Sequence, residues 1–308
     1  MNQAYRDYCR SLLFQFPWIG SHLQGWYRDA ETLHRLQPGH FYSPLADEAS
    51  IEAFGRFDVG ETRTLDGSET CLLGIDLQDE QQLALVNRWH ESGLLEPSVF
   101  QRYVPNNDYF GFSDALVLSA TLRDRPPQRI VEIGAGFSTR VILDQLDAMP
   151  NHDTQVTVID PDCNRLKSAM KPGDGERLDL RERSLQQDDV QECEALGPND
   201  ILMVDSSHVY KIGSDVQMIF EQLLPVLSVG VRIHFHDIFY PFDYPISWLR
   251  RGHHFNESYI LRAFLQFNSH FRITVWNDWL RWQPVDVPDP LHLPADVVAS
   301  SFWMERCE

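Results

Sequence analysis

Five cysteines in 308 residues (Cys9, Cys71, Cys163, Cys193 and Cys307) fall at no CxxC or other ligand spacing, so neither a zinc ribbon nor a redox pair can be read from them. Their odd number and scatter fit reduced thiols, and the expected location is cytoplasmic. No run approaches the ~18 apolar residues that a membrane-spanning helix requires. The first residues also lack the basic stretch and apolar core of a secretory signal. Positive charge is scarce: 26 Lys and Arg against 45 Asp and Glu give a formal charge of −19. Such a balance argues against a protein that lives by neutralising nucleic-acid phosphates, and against attraction to anionic lipid. Solubility is reason enough for the acidity. No internal repeat or low-complexity segment is visible.

Apolar material is plentiful. A hydrophobic fraction of 43% and eight tryptophans suffice for a well-filled core, and most of the aromatic excess, including Trp248, Trp276, Trp279 and Trp282, belongs there. The chain is organised around residues 129–140, Arg-Ile-Val-Glu-Ile-Gly-Ala-Gly-Phe-Ser-Thr-Arg. Ile130, Val131 and Ile133 form the short β-branched run of a strand buried on both faces. Gly134 and Gly136 follow at once, then Ser138 and Thr139 open a helix carrying Val141, Ile142, Leu143 and Leu146. Strand, glycine turn and helix in this order make the cofactor-binding first unit of a doubly wound α/β domain. The glycines admit a ligand close to the backbone, and the new helix offers free N–H groups.

The remaining chain is read in order. Residues 1 to about 36 predict two short helices interrupted at Pro17 and Gly20, and Gly39 to Asp47 an aromatic turn that either lines a pocket or closes a loop. A helix is expected over 79–89 and another over 114–122, capped by Ser113 and ended by Pro126-Pro127. The intervening loop around Tyr109 is thereby placed beside the glycine turn, where it can fold over a bound cofactor. Strands are expected at 154–160, 178–183, 200–205 and 229–235, alternating with helices at 163–170, 190–196 and 214–227. Five βα units of this spacing predict a mainly parallel sheet. A helix near 257–267, a strand at 271–276, a Pro-rich loop at 284–294 and a last strand at 301–307 add a closing antiparallel hairpin. The expected organisation is a mostly helical N-terminal extension, 1–102, followed by an α/β Rossmann-like domain, 103–308.

The spacing of the acids narrows the ligand. A dinucleotide fingerprint wants a third glycine at 139, where threonine stands. Asp160 ends the second strand, where a carboxylate can accept both ribose hydroxyls of a nucleoside cofactor, or cap the next helix with Pro161 near its start. Ser184 follows the third strand, where an adenine ring would lie. Asp205-Ser-Ser-His-Val-Tyr210 follows the fourth, and His234-Phe-His-Asp237 ends the fifth. These segments should converge outside the carboxyl ends of the strands.

The acidic-x-Gly-x-Gly pattern at Glu132 resembles motif I of class I S-adenosylmethionine-dependent methyltransferases. As a set, Val-Glu-Ile-Gly-Ala-Gly-Phe-Ser-Thr, Val-Asp-Ser-Ser-His-Val-Tyr and Phe-His-Asp resemble the methyltransferase domain 24 type, over residues 103 to 240. The resemblance implies S-adenosyl-L-methionine as cofactor, with Tyr109, Glu132, Gly134, Gly136, Ser138, Thr139, Asp160, Ser184 and Asp205 around it. It implies methyl transfer, expected at a hydroxyl of a small molecule or glycan, with no nucleic-acid partner. His208 is the candidate base, since histidine titrates near neutrality, with Asp205 and Asp237 beside it; bonding to the next helix is the competing reading. Asp205, His236 and Asp237 also stand where related catechol-type enzymes hold a divalent metal. A histidine at 236 suits Zn, Mn or Fe better than Mg, and a hydrogen-bonded His-Asp pair shaping the pocket explains it equally. Asn256, Glu257 and Tyr259 either reach the substrate or simply start a solvated helix. An NAD-dependent oxidoreductase or epimerase acting on a nucleotide sugar shares the turn and Asp160, and a non-catalytic cofactor-binding module shares the whole pattern.

Overall fold

The strand β1 (Arg129–Ile133) is an interior strand of the sheet, its last four residues buried. In the computed structural model, residues 37–59, 72–96, 100–149, 153–282 and 298–308 are described. The N-terminal helices expected over 1–36 and the Pro-rich loop at 284–294 fall mainly or wholly outside them. Two compact units are present: a smaller one of residues up to Arg56 with Ile246–His254, and a larger one of Phe57–Pro245 with Phe255–Glu308.

In the smaller unit, helix α1 (Glu48–Phe54) is capped by Asp47, which accepts from the Ser50 amide. It packs on the helical turn Ile246–Arg250, and Arg250 pairs with Glu48 at 2.6 Å. The aromatic turn before it closes a loop: Phe41 and Tyr42 are exposed.

In the larger unit, β1 pairs in parallel with β2 (Gln155–Ile159) and with β4 (Ile201–Val204). β3 (Leu178–Arg181) extends the sheet beyond β2, and β5 (Arg232–Phe235) beyond β4. β7 (Phe302–Arg306) runs antiparallel between β5 and β6 (Phe271–Trp276), giving the order β3-β2-β1-β4-β5-β7-β6. The expected Rossmann-like doubly wound sheet with an antiparallel C-terminal hairpin is thus the observed one. Its central strands read as apolar runs because both faces are covered; β4, Ile-Leu-Met-Val, is buried throughout. Each such side chain contributes on the order of 1.5–3 kcal/mol of transfer free energy.

α2 (Asp79–Glu91) buries Val86 and Trp89 and packs on β6. α3 (Phe112–Asp124) starts two residues earlier than expected, after the N-cap Gly111, so Ser113 lies inside it and caps nothing. Every residue of α3 from Ser113 to Leu122 is buried, against α4 (Phe137–Ala148) among others. The segment expected as one helix at 214–227 is interrupted: α5 (Asp215–Met218) passes into a π turn, Ile219–Leu223, before a last turn, Leu224–Val226. Pro225 has no N–H for the Glu221 carbonyl, so the α ladder cannot continue through it. α6 (Glu257–Leu265) precedes β6, and α7 (Asn277–Arg281) follows it.

A buried ionic knot joins the Tyr103 loop to α4. Arg102, 5% exposed, binds Asp144 at 2.9 Å, Asp147 at 2.7 Å and Asp174 at 2.7 Å. Asp144 also accepts from the amides of Gln101, Arg102 and Tyr103. The loop leading to Tyr109 is therefore anchored on the helix that follows the glycine turn.

Candidate active site

The glycine turn is shaped by what lies behind it. Gly134 has φ +98°, and a Cβ there would meet the Asp205 carbonyl oxygen at 2.1 Å, so only glycine fits between β1 and the end of β4. Gly136 is extended, and its open side faces the Arg165 side chain at 3.5 Å. Glu132 is fully buried beneath the turn, its two oxygens accepting from Ser138 Oγ at 2.5 Å and Thr139 Oγ1 at 2.7 Å. Burial pushes this carboxyl up to about 8, and the two hydroxyl donors only partly oppose that. Thr139 Oγ1 in turn accepts from the Gly136 amide at 3.2 Å. Glu132, Ser138 and Thr139 thus brace the turn from within.

In front of the turn is a cleft of about 640 Å³ at the carboxyl ends of β1, β2 and β4, lined by Gly134, Asp160, Ser184, Leu185, Asp205 and Lys211, among others. One Asp160 oxygen accepts from the Ala135 amide at 2.7 Å and the other from the Asp162 amide at 2.6 Å. Asp160 therefore fixes the turn and its own loop, and each oxygen keeps a lone pair for a ligand. Tyr109, 56% exposed, stands beside this cleft: its ring stacks on Phe137 at 6.0 Å, and the Arg165 guanidinium lies over it at 3.6 Å.

Beyond Asp205 the ends of β4 and β5 bring two imidazoles and two carboxylates together. His208 Nε2 lies 3.7 Å from Asp205 and 3.5 Å from Asp237. His236 Nδ1 lies 3.5 Å from Asp205 and 3.4 Å from Asp237. His208 and Asp237 both have φ +57°, the left-handed region that costs a non-glycine residue about 1–3 kcal/mol. His208 Nδ1 meets Glu257 at 2.8 Å, and Ser206 Oγ donates to the other Glu257 oxygen at 2.9 Å. The His208 carbonyl accepts from the amides of Asn256 and Glu257, so the loop after β4 is locked onto the start of α6. Burial opposes protonation of His208, but Glu257, then Asp237 and Asp205, raise it to about 9. Burial likewise works against charge on Asp205, yet His236 and His208 hold it down to about 2. His236, stacked on Phe110, is raised well above its ordinary value against burial by Asp237 and Asp205.

Residues 131–238 match the family profile of the methyltransferase domain. They span the glycine turn, Asp160, Asp205, His208 and Asp237, which is to say the whole cleft and both strand ends just described. This segment is similar to a methyltransferase domain. A protein of Archaeoglobus fulgidus with no assigned function is 32% identical over 140 residues, which is 43% of this chain and 61% of that protein. Solved structures similar to the chain include the S-adenosylhomocysteine-bound methyltransferase PaMTH1 of Podospora anserina, 16% identical over 84% of this chain and 93% of that one, TM-score 0.41. The O-methyltransferase TomG of Streptomyces achromogenes, in complex with S-adenosylmethionine, is 16% identical over 78% of this chain and 94% of that one, TM-score 0.39.

Of the residues expected at the cofactor, Gly134, Asp160, Ser184 and Asp205 line the cleft; Glu132, Ser138 and Thr139 lie behind it, and Tyr109 packs on Phe137 at the start of α4. Asp205, His236 and Asp237 do come together, but among the described residues no three His, Cys, Asp or Glu side chains are arranged to hold a metal ion. His236 Nε2 faces Ser300 Oγ at 3.2 Å and Asp114 at 3.5 Å. Asp114 and Glu257 are both fully buried members of this network; Asp114 had no assigned role in the sequence reading, and Glu257, expected to reach the substrate or start a solvated helix, is not solvated. Asp114 sits on α3 and accepts from Asn277, Ser300 and Ser301. Each had a local signal only as an acid in the first turn of a helix, a place that helix-dipole stabilisation explains by itself.

Proposed function

We propose that the chain transfers a methyl group from S-adenosyl-L-methionine to a hydroxyl of a small molecule or glycan, in the cytoplasm. The observation that carries the reading is the position of the His208–Glu257 pair: its neighbour Asp205 is shared between the cofactor cleft and the imidazole cluster. The residues present suit the cofactor, since the Gly134 turn leaves the cleft open and Asp160 retains acceptors for a ribose. Asp160, Ser184 and the backbone of the glycine turn would hold it, with Tyr109 at its edge. When bound, the cofactor would supply an electrophilic methyl carbon, with S-adenosylhomocysteine as the leaving group of the in-line displacement.

This chain's own residues handle the proton. A hydroxyl that gains a carbon must lose its hydrogen, and His208 Nε2 is the imidazole nitrogen facing the carboxyl ends of β4 and β5. Glu257, fixed by Ser206, holds Nδ1 and stabilises the imidazolium that results, the arrangement of a base oriented by a third group. Asp205 and Asp237 are the charges that receive the proton's field on the other side.

The test is a thermal-shift titration of the purified protein with S-adenosylhomocysteine beside NAD⁺, followed by methyl transfer from labelled S-adenosylmethionine to hydroxylated acceptors. A ligand of the folded state raises the melting temperature by mass action. A rise with S-adenosylhomocysteine is expected; a rise with NAD⁺ alone would overturn the proposal. A His208→Ala variant that binds cofactor and turns over at the wild-type rate would remove His208 from the mechanism.

A further inference from the structure

A second cavity, of about 310 Å³, opens where β5 begins, away from the cofactor cleft, between α2, α3 and the face of β5, β6 and β7. That volume is at the low end of small-ligand pockets, roughly 300–1,000 Å³. Its walls are Leu85 and Trp89 of α2, Ile273 and Val275 of β6, and Trp303 of β7, and three arginines join them: Arg125, Arg232 and Arg272.

The charges do not cancel. Of the two carboxylates lining the cavity, Asp124 is held from outside by both terminal nitrogens of Arg88, at 3.0 and 2.9 Å. Glu305 is divided between Arg125 and Arg272, each at 3.2 Å. Arg232 is 3% exposed and gives all its bonds to the carbonyls of Thr121, Arg125 and Asn199, none of them charged. Burial, with Arg125 adding to it, pushes the guanidinium down to about 9 against the pull of Glu305, Asp124 and Asp200. Three arginines against two carboxylates leave an excess of positive charge beside an apolar wall, in a chain of formal charge −19, which suits something negative and partly apolar.

We propose that this cavity is a second binding site, specific for a small aromatic or branched-aliphatic carboxylate. The carboxylate is drawn to the arginine side, and the apolar part lies against Trp89, Trp303 and Val275. The site is independent of the methyl-transfer reading.

Isothermal titration of the full chain with 2-naphthoate and with 2-naphthylmethanol, its neutral counterpart, tests the proposal. The carboxylate is expected to bind at least about tenfold more tightly than the alcohol, the factor that one charge-assisted contact commands. Arg272→Gln, at a half-exposed side chain, should abolish most of that preference, and Leu85→Trp, which fills the cavity, should remove binding of both. Unchanged melting temperatures in the variants separate loss of the site from loss of the fold, and should Leu85→Trp fail to fold, Arg272→Gln decides. Equal affinity for acid and alcohol, binding of neither, or an unchanged preference in Arg272→Gln would overturn the proposal.

Discussion

Replacing Glu257 by glutamine keeps the size of the side chain and an acceptor for His208 Nδ1 while removing one negative charge from a fully buried position. His208 stands at about 9 against an ordinary 6.5, and Glu257 is the foremost of the groups that raise it. That difference corresponds to about 3 kcal/mol of preference for the imidazolium in the folded state. Because the folded-state value is the raised one, the stabilisation is fully present below about pH 6.5 and is lost as pH climbs through about 9. At pH 7.5 only roughly 3% of His208 is neutral and able to accept a proton, against roughly 90% for an unperturbed imidazole. Glu257→Gln should therefore move the His208 midpoint well down toward neutrality. It should also flatten the fall in stability between pH 6.5 and 9, and shift the rising limb of kcat/KM, which reports the free enzyme, in the same direction. Histidine-resolved NMR titration, with His208→Gln to assign the resonance, reads the first effect; urea unfolding at the two pH values reads the second. A wild-type His208 that titrates near 6.5, or a midpoint that stays put in Glu257→Gln, would refute the argument that this pair is coupled.

The other predictions rest on single contacts. Gly134→Ala should destabilise by at least about 2–3 kcal/mol in urea unfolding and abolish S-adenosylhomocysteine binding, since its Cβ would lie 2.1 Å from the Asp205 carbonyl oxygen at a φ of +98°. Asp160→Ala should leave the Ala135 amide without its acceptor and weaken S-adenosylhomocysteine by about tenfold or more in calorimetry, with a stability cost of about 1–3 kcal/mol. Arg102→Met should cost about 3–5 kcal/mol, because Asp144 and Asp174 are left as buried charges. Acid should narrow that gap: Arg102 outweighs burial to lower Asp174 from its ordinary value, so its stabilisation holds at neutral pH and is lost as pH falls through the lowered value.

What the sequence made legible followed from local pattern. β6 was readable to the residue, and β1, β2 and β4 to within a residue or two at each end, because a strand covered on both faces must be an apolar run and glycine or carboxylate punctuation closes it. The glycine turn was equally legible, but the reasons assigned to its residues were not. Gly134 is required by the carbonyl of a strand some seventy positions later, and Glu132 points inward to two hydroxyls instead of out to a ligand. The first fact depends on how β1 and β4 lie side by side, which no window around residue 134 contains; the second is local, but it needs the bend of the turn that brings Ser138 and Thr139 back over Glu132. The starts of α2 and α6 were legible, whereas that of α3 was not, for a related reason. Ser113 has the chemistry of a cap, yet the apolar residues on either side of it are claimed by the core, and burial of the whole helix outweighs the roughly 1 kcal/mol that a cap supplies.

The same reasoning accounts for the histidines. His208 and His236 were found by sequence because each ends a segment that must reach the carboxyl edge of the sheet. Their protonation was not readable, since it depends on acids brought from several elements: Glu257 from the start of α6 to His208, and Asp237 and Asp205 from two strand ends, with Asp114 of α3, to His236. A histidine met in a sequence carries a value near 6.5 and a choice of roles. Here the carboxylates packed around them favour the charged form of both rings. It follows that substitutions at Glu257 and Asp114, neither of which faces the cofactor cleft, should change the pH at which this site operates more than they change its affinity for cofactor.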